Sequence, residues 1–275
     1  MLGERIYLDP TDDEIYLENY AINRNDYPVK NAVAAQTDAI LVIPGGGYAN
    51  VSEREGVYTA LAFLGKGYSI FVLKYSTGEK AIYPRQLLDA CRALKYIKEN
   101  AEKYNINPDR IFALGYSAGG HLLGTLATLH GVGEKILGLP DDYLKIKGAI
   151  FCYPVVTAYG PTHVGSFNNL LKKPLDEYTE DEKNLLSIEK NVTPDTPPAF
   201  IWHTSEDRGV PINGSLKLCQ AYYNVGIPVE LHVFPHGPHG IALANEISSG
   251  GNAAFVQPRA EIWVDEACKW MENLK

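Results

Sequence analysis

The sequence predicts an α/β fold, a mostly parallel central sheet with helices on both of its faces. Three observations carry that prediction. Short runs rich in β-branched and aromatic residues alternate with longer stretches of helical period, the pattern of successive βα units. The short runs are largely apolar without a strict alternation, which suits strands covered on both faces. The 275 residues, 45% hydrophobic and 21% charged, suffice for a single domain with one large core.

Taken in order, residues 5–9 (RIYLD) and 14–22 (EIYLENYAI) read as an antiparallel lead-in. Strands follow at 39–44 (AILVIP), 68–75 (YSIFVLKY), 110–116 (RIFALGY), 147–154 (KGAIFCYP), 199–204 (AFIWHT) and 229–235 (VELHVFP). From Pro84 to Tyr104, Leu87, Leu88, Cys91, Leu94 and Ile97 form the stripe of an amphipathic helix. Asn107-Pro108-Asp109 then turns the chain into the next strand. Further helices are expected over 118–130, 213–224 and 258–273. Residues 158–198 break the alternation, being rich in Pro, Asn, Lys and Glu with only short helical pieces around 168–172 and 181–186. An insertion of roughly 40 residues is too long for an ordinary connection. It reads either as a lid over the carboxyl ends of the strands or as a solvated surface excursion.

Composition removes several classes of function. With 25 basic against 33 acidic side chains the net charge is −8, a field that does not attract phosphate backbones or anionic lipid. Nucleic acid and membranes are therefore set aside as partners, and a small-molecule substrate is expected; self-association is left open. The first residues carry no basic stretch followed by an apolar one, and no run reaches the ~18 apolar residues of a membrane span. A cytoplasmic protein is the expectation. In that setting the Asn-x-Ser/Thr matches at Asn50, Asn191 and Asn213 are chance ones. Cys91, Cys152, Cys219 and Cys268 are widely spaced, which argues for reduced thiols rather than disulfides or a zinc site.

The chemistry begins at GYSAGGH, 115–121. Gly115-Tyr116-Ser117-Ala118-Gly119 follows a buried-looking strand and precedes a run of helical period, HLLGTLATLH. A strand-to-helix turn that sharp strains its central residue and needs small neighbours, and it lifts the Ser117 hydroxyl to the positive end of the helix. Gly67-Tyr68-Ser69 repeats the first letters but opens a strand and is followed by Ile70 and Phe71, so no such turn forms there.

A serine nucleophile needs a histidine to take its proton and a carboxylate to orient that histidine. On a parallel sheet both come from loops after later strands, acid first. After AFIWHT the loop Ser205-Glu206-Asp207-Arg208-Gly209-Val210-Pro211 offers Asp207, short enough to be held by loop amides, with Glu206 as the alternative. After VELHVFP the loop His236-Gly237-Pro238-His239-Gly240 offers His239, with Gly240 giving its ring room, while His236 is expected to pack or bond to loop backbone. Two histidines without an accompanying carboxylate or cysteine cluster do not make a metal site. Of the other histidines, His121, His130, His203 and His232 are expected to be structural, and His163 to reach the pocket at most.

Negative charge that builds on a carbonyl oxygen needs preorganised N–H groups. Ala118 supplies one, directly after the nucleophile, and Pro44-Gly45-Gly46-Gly47-Tyr48 supplies a loop whose glycines allow close approach. That loop has neither the spacing nor the Lys-Ser/Thr ending of a phosphate-binding loop.

PGGGY, GYSAGGH, DRGVP and the final PHG together resemble the α/β-hydrolase esterases of the acetyl-xylan-esterase-like and hormone-sensitive-lipase-like groups, from about Ala39 to the C-terminus. The resemblance implies a triad of Ser117, Asp207 and His239, an oxyanion hole of Gly46, Gly47 and Ala118, and no cofactor. Lipase-like members carry His before the three glycines, where this chain has Pro44; the proline form is more similar to esterases acting on acetylated sugars and other short acyl esters. Tyr48, Tyr116, Tyr153 and Phe167 are expected at the pocket or in the core. Glu53, Arg54 and Glu55 are expected to meet a polar substrate or, with greater weight, to pair as ions. An exopeptidase or amidase would use the same residues, and a non-catalytic binding module would lack one of them.

Overall fold

Every second residue of a strand points to the same face, and in the central strands both sets are apolar, so helices must cover the sheet twice. The computed structural model describes residues 3–21 and 36–274. In chain order its elements are β1 (Glu4–Asp9), β2 (Asp12–Asn19), β3 (Thr37–Ile43), α1 (Glu53–Leu64), β4 (Ser69–Lys74), α2 (Arg85–Glu99), α3 (Ala101–Tyr104), β5 (Ile106–Tyr116), α4 (Ser117–Leu137), β6 (Gly148–Cys152), α5 (Val164–Leu171), α6 (Glu180–Leu186), β7 (Ala199–Thr204), α7 (Asn213–Val225), β8 (Val229–Phe234), α8 (Pro258–Glu261) and α9 (Trp263–Asn273). The strands form one sheet in the order β1-β2-β4-β3-β5-β6-β7-β8. β1 with β2 and β2 with β4 are antiparallel; every later pairing is parallel.

The two faces sort the strand residues by parity. Leu41, Ile43, Phe71, Leu73 and Ala113 pack with Leu87 and Leu94 of α2 and Leu122 and Leu126 of α4. Ile40, Val42, Ile70, Val72, Phe112 and Leu114 pack with Phe63 of α1 and with Trp263 and Trp270 of α9. On the second face the Trp202 and Trp263 rings stack with centroids 5.2 Å apart. Each such large side chain removed from water contributes about 1.5–3 kcal/mol.

The structure departs from the sequence reading in a few places. α1 is not among the expected helices: its inward stripe of Gly56, Thr59, Ala60 and Phe63 is weakly apolar and begins beside a buried glutamate, Glu55. Asn107-Pro108-Asp109 lies within β5, where pairing jumps from Thr37 with Ile106 to Ala39 with Ile111, so the turn residues loop out of the ladder. α4 runs on to Leu137 across non-helical backbone at Leu129. The expected final helix is divided into α8 and α9 at Ile262. Ile22, the last residue of the expected lead-in, lies outside the described residues. Among the described residues no helix is long and apolar enough to cross a membrane.

Candidate active site

At the carboxyl end of β5 the chain passes straight into α4, and Ser117 takes φ 51°, a left-handed conformation that costs an L-residue energy. The flanking glycines make the turn possible. A Cβ on Gly115 would lie 2.5 Å from the Gly119 carbonyl oxygen, and one on Gly119 would lie 2.2 Å from that of Ile43, so no side chain fits at either. The Ser117 carbonyl accepts from Val155 N–H at 3.0 Å, which ties the turn to the chain after β6.

The loops after β7 and β8 meet the turn. Ser117 Oγ is 2.8 Å from His239 Nε2, and His239 Nδ1 is 2.7 Å from Asp207 Oδ2. Because the carboxylate only accepts, Nδ1 carries the ring proton and Nε2 is left to accept from the serine hydroxyl. Asp207 Oδ1 accepts from the N–H groups of Gly209 and Val210 at 2.9 and 2.8 Å. Burial pushes the Asp207 carboxyl up, but hydrogen bonds from His203, His239 and the Val210 amide outweigh it and hold the group well below the usual carboxylate range. Glu206 is exposed and pairs instead with His236 Nδ1 at 2.9 Å, so these two alternatives face each other at the surface, away from Ser117.

The glycine loop after β3 adopts φ 126° at Gly46 and 62° at Gly47. Gly45 N–H donates to Glu55 Oε2 at 2.8 Å, and Gly46 O accepts from Ala49 and Asn50 N–H. Among the described residues nothing accepts from the N–H groups of Gly46, Gly47 or Ala118. Gly46 and Gly47 line a cavity of about 430 Å³ together with Ser117 and His239. Its other walls are Ala49, Asn50, Ser52 and Glu55 on one side and His163, Gly165 and Asn169, from the 158–198 segment, on the other. Asn169 Nδ2 donates to Gly47 O at 2.8 Å, and His163 Nδ1 accepts from Ser166. Burial, then the neighbouring His239, lowers the His163 pKa.

The four aromatic residues expected at the pocket or in the core all lie in the core. Tyr48 and Phe167 pack around His121, with ring centroids 5.9 and 5.3 Å from it. Tyr116 bonds to Thr59 Oγ1 at 2.7 Å on the α1 face, which corrects its placement at the pocket. Tyr153 donates to Glu55 Oε1 at 2.7 Å and packs its ring 5.1 Å from that of His239, beneath the imidazole rather than in the cavity. All four rings are almost entirely removed from solvent, Tyr116 because its position at the end of β5 has the parity of the core.

Of the charged trio, Glu53 pairs with Lys74, and Arg54 donates to Gly240 O and Ser248 O, so both have structural partners. Among the described residues no cation pairs with Glu55; it links the glycine loop to Tyr153, whose hydroxyl accepts from Ala242 N–H at 3.0 Å on the segment after His239. The sequence weighed Glu55 only as an ion-pairing or substrate-facing charge, and it expected His203 to be structural. Nothing in spacing distinguishes a bonded strand histidine or a buried helix glutamate from ordinary ones.

The BD-FAE family model matches residues 26–222. "Endo-1,4-beta-xylanase B" of Butyrivibrio fibrisolvens is 37% identical over 239 residues, 84% of this chain and 36% of that protein. "Acetylxylan esterase" of Xylanibacter ruminicola is 30% identical over 213 residues, 74% of this chain and 41% of that protein. The chain thus spans well under half the length of these curated relatives. Among solved structures, the acetyl ester-xyloside bifunctional hydrolase from Caldicellulosiruptor lactoaceticus superposes with a TM-score of 0.80 at 32% identity, covering 98% of this chain and 96% of that one. The fold is that of the α/β hydrolases.

Proposed function

The chain belongs to the BD-FAE family, and on that premise we propose that it is a serine carboxylic ester hydrolase, removing acetyl and other short acyl groups from polyhydroxylated alcohols such as xylo-oligosaccharides. The observation that carries this is the unbroken line from Ser117 Oγ through His239 to Asp207, opening on a cavity beside backbone amides that have no acceptor among the described residues. In this reading Ser117 attacks the ester carbonyl while His239 Nε2 takes its proton. The oxygen of the tetrahedral intermediate rests against the N–H groups of Gly46, Gly47 and Ala118, at the positive end of α4. His239 then hands the proton to the departing alcohol, and water cleaves the acyl-Ser117 bond by the same route. Asp207 holds the imidazole in its tautomer throughout.

Among the described residues that line the cavity there is no large aliphatic side chain and no Phe, Tyr or Trp, which supports a short acyl group over a long one. Asn50, Ser52, His163 and Asn169 offer hydrogen bonds to hydroxyls of the alcohol. The acetyl and xylose chemistry named for the similar proteins agrees with such a wall. Segment 158–198 acts as the lid in this reading, and residues 1–275 as one hydrolase domain.

The test compares wild type and Ser117→Ala on p-nitrophenyl acetate, longer acyl esters, acetylated xylo-oligosaccharides and aminoacyl amides. Ser117→Ala is expected to lose at least about 10³-fold in kcat, the scale of losing a nucleophile. Unchanged turnover removes Ser117 from the reaction, and a preference for the amides moves the assignment to an amidase.

A further inference from the structure

Asp207 has a donor outside the three residues of the proposed reaction. His203, next to the end of β7, approaches Asp207 Oδ2 with its Nε2 at 3.2 Å, and both side chains are fully buried. The same nitrogen is 3.0 Å from the Val210 carbonyl oxygen. Both neighbours only accept, so Nε2 carries the proton and donates to them. Nδ1, 2.8 Å from Ser215 Oγ in the first turn of α7, is left to accept from that hydroxyl. The ring is therefore fixed in orientation and tautomer from both ends.

We infer that His203 is a positioning residue, holding Asp207 Oδ2 on the line to His239 Nδ1; the inference rests on the reading of Ser117, His239 and Asp207 given above. The two amides on Asp207 converge on Oδ1 and leave the carboxylate free to turn about that oxygen. On Oδ2 the donors are His239, which must shift as it passes a proton, and His203, which is anchored in the sheet. His203 thus refers the acid to β7 rather than to the loop. Gly209 and Val210 come from the same loop as Asp207 and cannot provide an external reference. A buried carboxylate oxygen deprived of one donor would also be under-satisfied, which favours turning it toward another partner and away from His239.

Three variants separate this role from packing. His203→Gln puts an amide nitrogen where the imidazole Nε2 stands, His203→Asn is too short to reach, and His203→Phe keeps a ring without a donor. Turnover of p-nitrophenyl acetate is measured with kcat counted per Ser117 site titrated by a fluorophosphonate. The expected result is a kcat lower by about 100-fold in the Phe and Asn variants with KM within about twofold, and within about fivefold of wild type in the Gln variant, since a displacement near 1 Å at the acid suffices for such a loss. Wild-type kcat in His203→Phe, or in His203→Asn should the Phe variant not fold, overturns the inference. An equal loss in His203→Gln also overturns it, because the donor would then not be what matters. If the wild type shows no Ser117-dependent turnover, the ester-hydrolase reading falls and takes this inference with it; Ser117-dependent turnover indifferent to His203 removes the inference alone.

Discussion

Gly209 shows how closely the acid and histidine loops approach. A Cβ built there would lie 2.9 Å from His239 Cβ and 3.1 Å from its Cγ, so the glycine is required by contact with the imidazole rather than by backbone conformation. Gly209 is itself exposed, with no core to disturb. Gly209→Ala is therefore expected to displace His239 and lower kcat on p-nitrophenyl acetate by about 10- to 100-fold, with Tm within ~2 °C of wild type. Wild-type kcat in that variant would mean that the histidine loop yields freely. The residue types of the site were legible because Ser117, Asp207 and His239 each follow a strand in the order a parallel sheet requires. The reason for Gly209 was not, since it depends on a contact between loops some thirty positions apart. The same holds for the choice between His236 and His239: both lie in one loop, and only the structure pairs the first with Glu206.

At the level of elements, strand parity carried more than the sequence reading drew from it. Phe112, Leu114 and Tyr116 alternate on one face of β5, so Tyr116 had to join the core cluster of its neighbours instead of the cavity. α1 was missed for a complementary reason: an amphipathic stripe is recognised by apolar residues, and here the stripe opens with Glu55. The glutamate is tolerated because Gly45 N–H and the Tyr153 hydroxyl both donate to it. Removing it leaves two buried donors without that partner, at about 1–3 kcal/mol each. Glu55→Ala is thus expected to lose about 2–6 kcal/mol in urea unfolding and Glu55→Gln distinctly less, since the amide oxygen still accepts one of the two bonds. Equal losses would show that the cost is one of volume. The second covered face, by contrast, was foreseeable without α1: strands apolar on both sides oblige some helix to lie there.

Across the whole molecule, segments far apart in the chain converge on His121, the last residue of the motif that contains Ser117. Tyr48 of the glycine loop donates its hydroxyl to Nδ1 at 2.8 Å, and Nε2–H donates to Leu186 O of the 158–198 segment at 2.7 Å. The order of the strands and of the site residues could be read along the chain, but this junction could not, because an inserted segment has no periodicity that says where it docks. Burial drives the His121 pKa down from 6.5 to about 4, against the opposing hydrogen bond to Leu186. The unfolded chain therefore binds a proton near pH 6.5 that the fold refuses until about pH 4, and between those values the unfolded state holds more protons. Stability is expected to be insensitive to this group above pH 7 and to fall as pH drops through the window, by about 2 kcal/mol at pH 5 and about 3 kcal/mol at its lower end. Asp207, depressed below the usual carboxylate range, loses its contribution only at pH values below that window. Urea unfolding of wild type and His121→Gln at pH 7 and pH 5 isolates the effect, since the variant lacks the titrating ring and should lose about 2 kcal/mol less between the two. Parallel losses in both proteins would mean that His121 takes up its proton inside the fold, and that the contact between the glycine loop and the inserted segment survives with a charged ring at its centre.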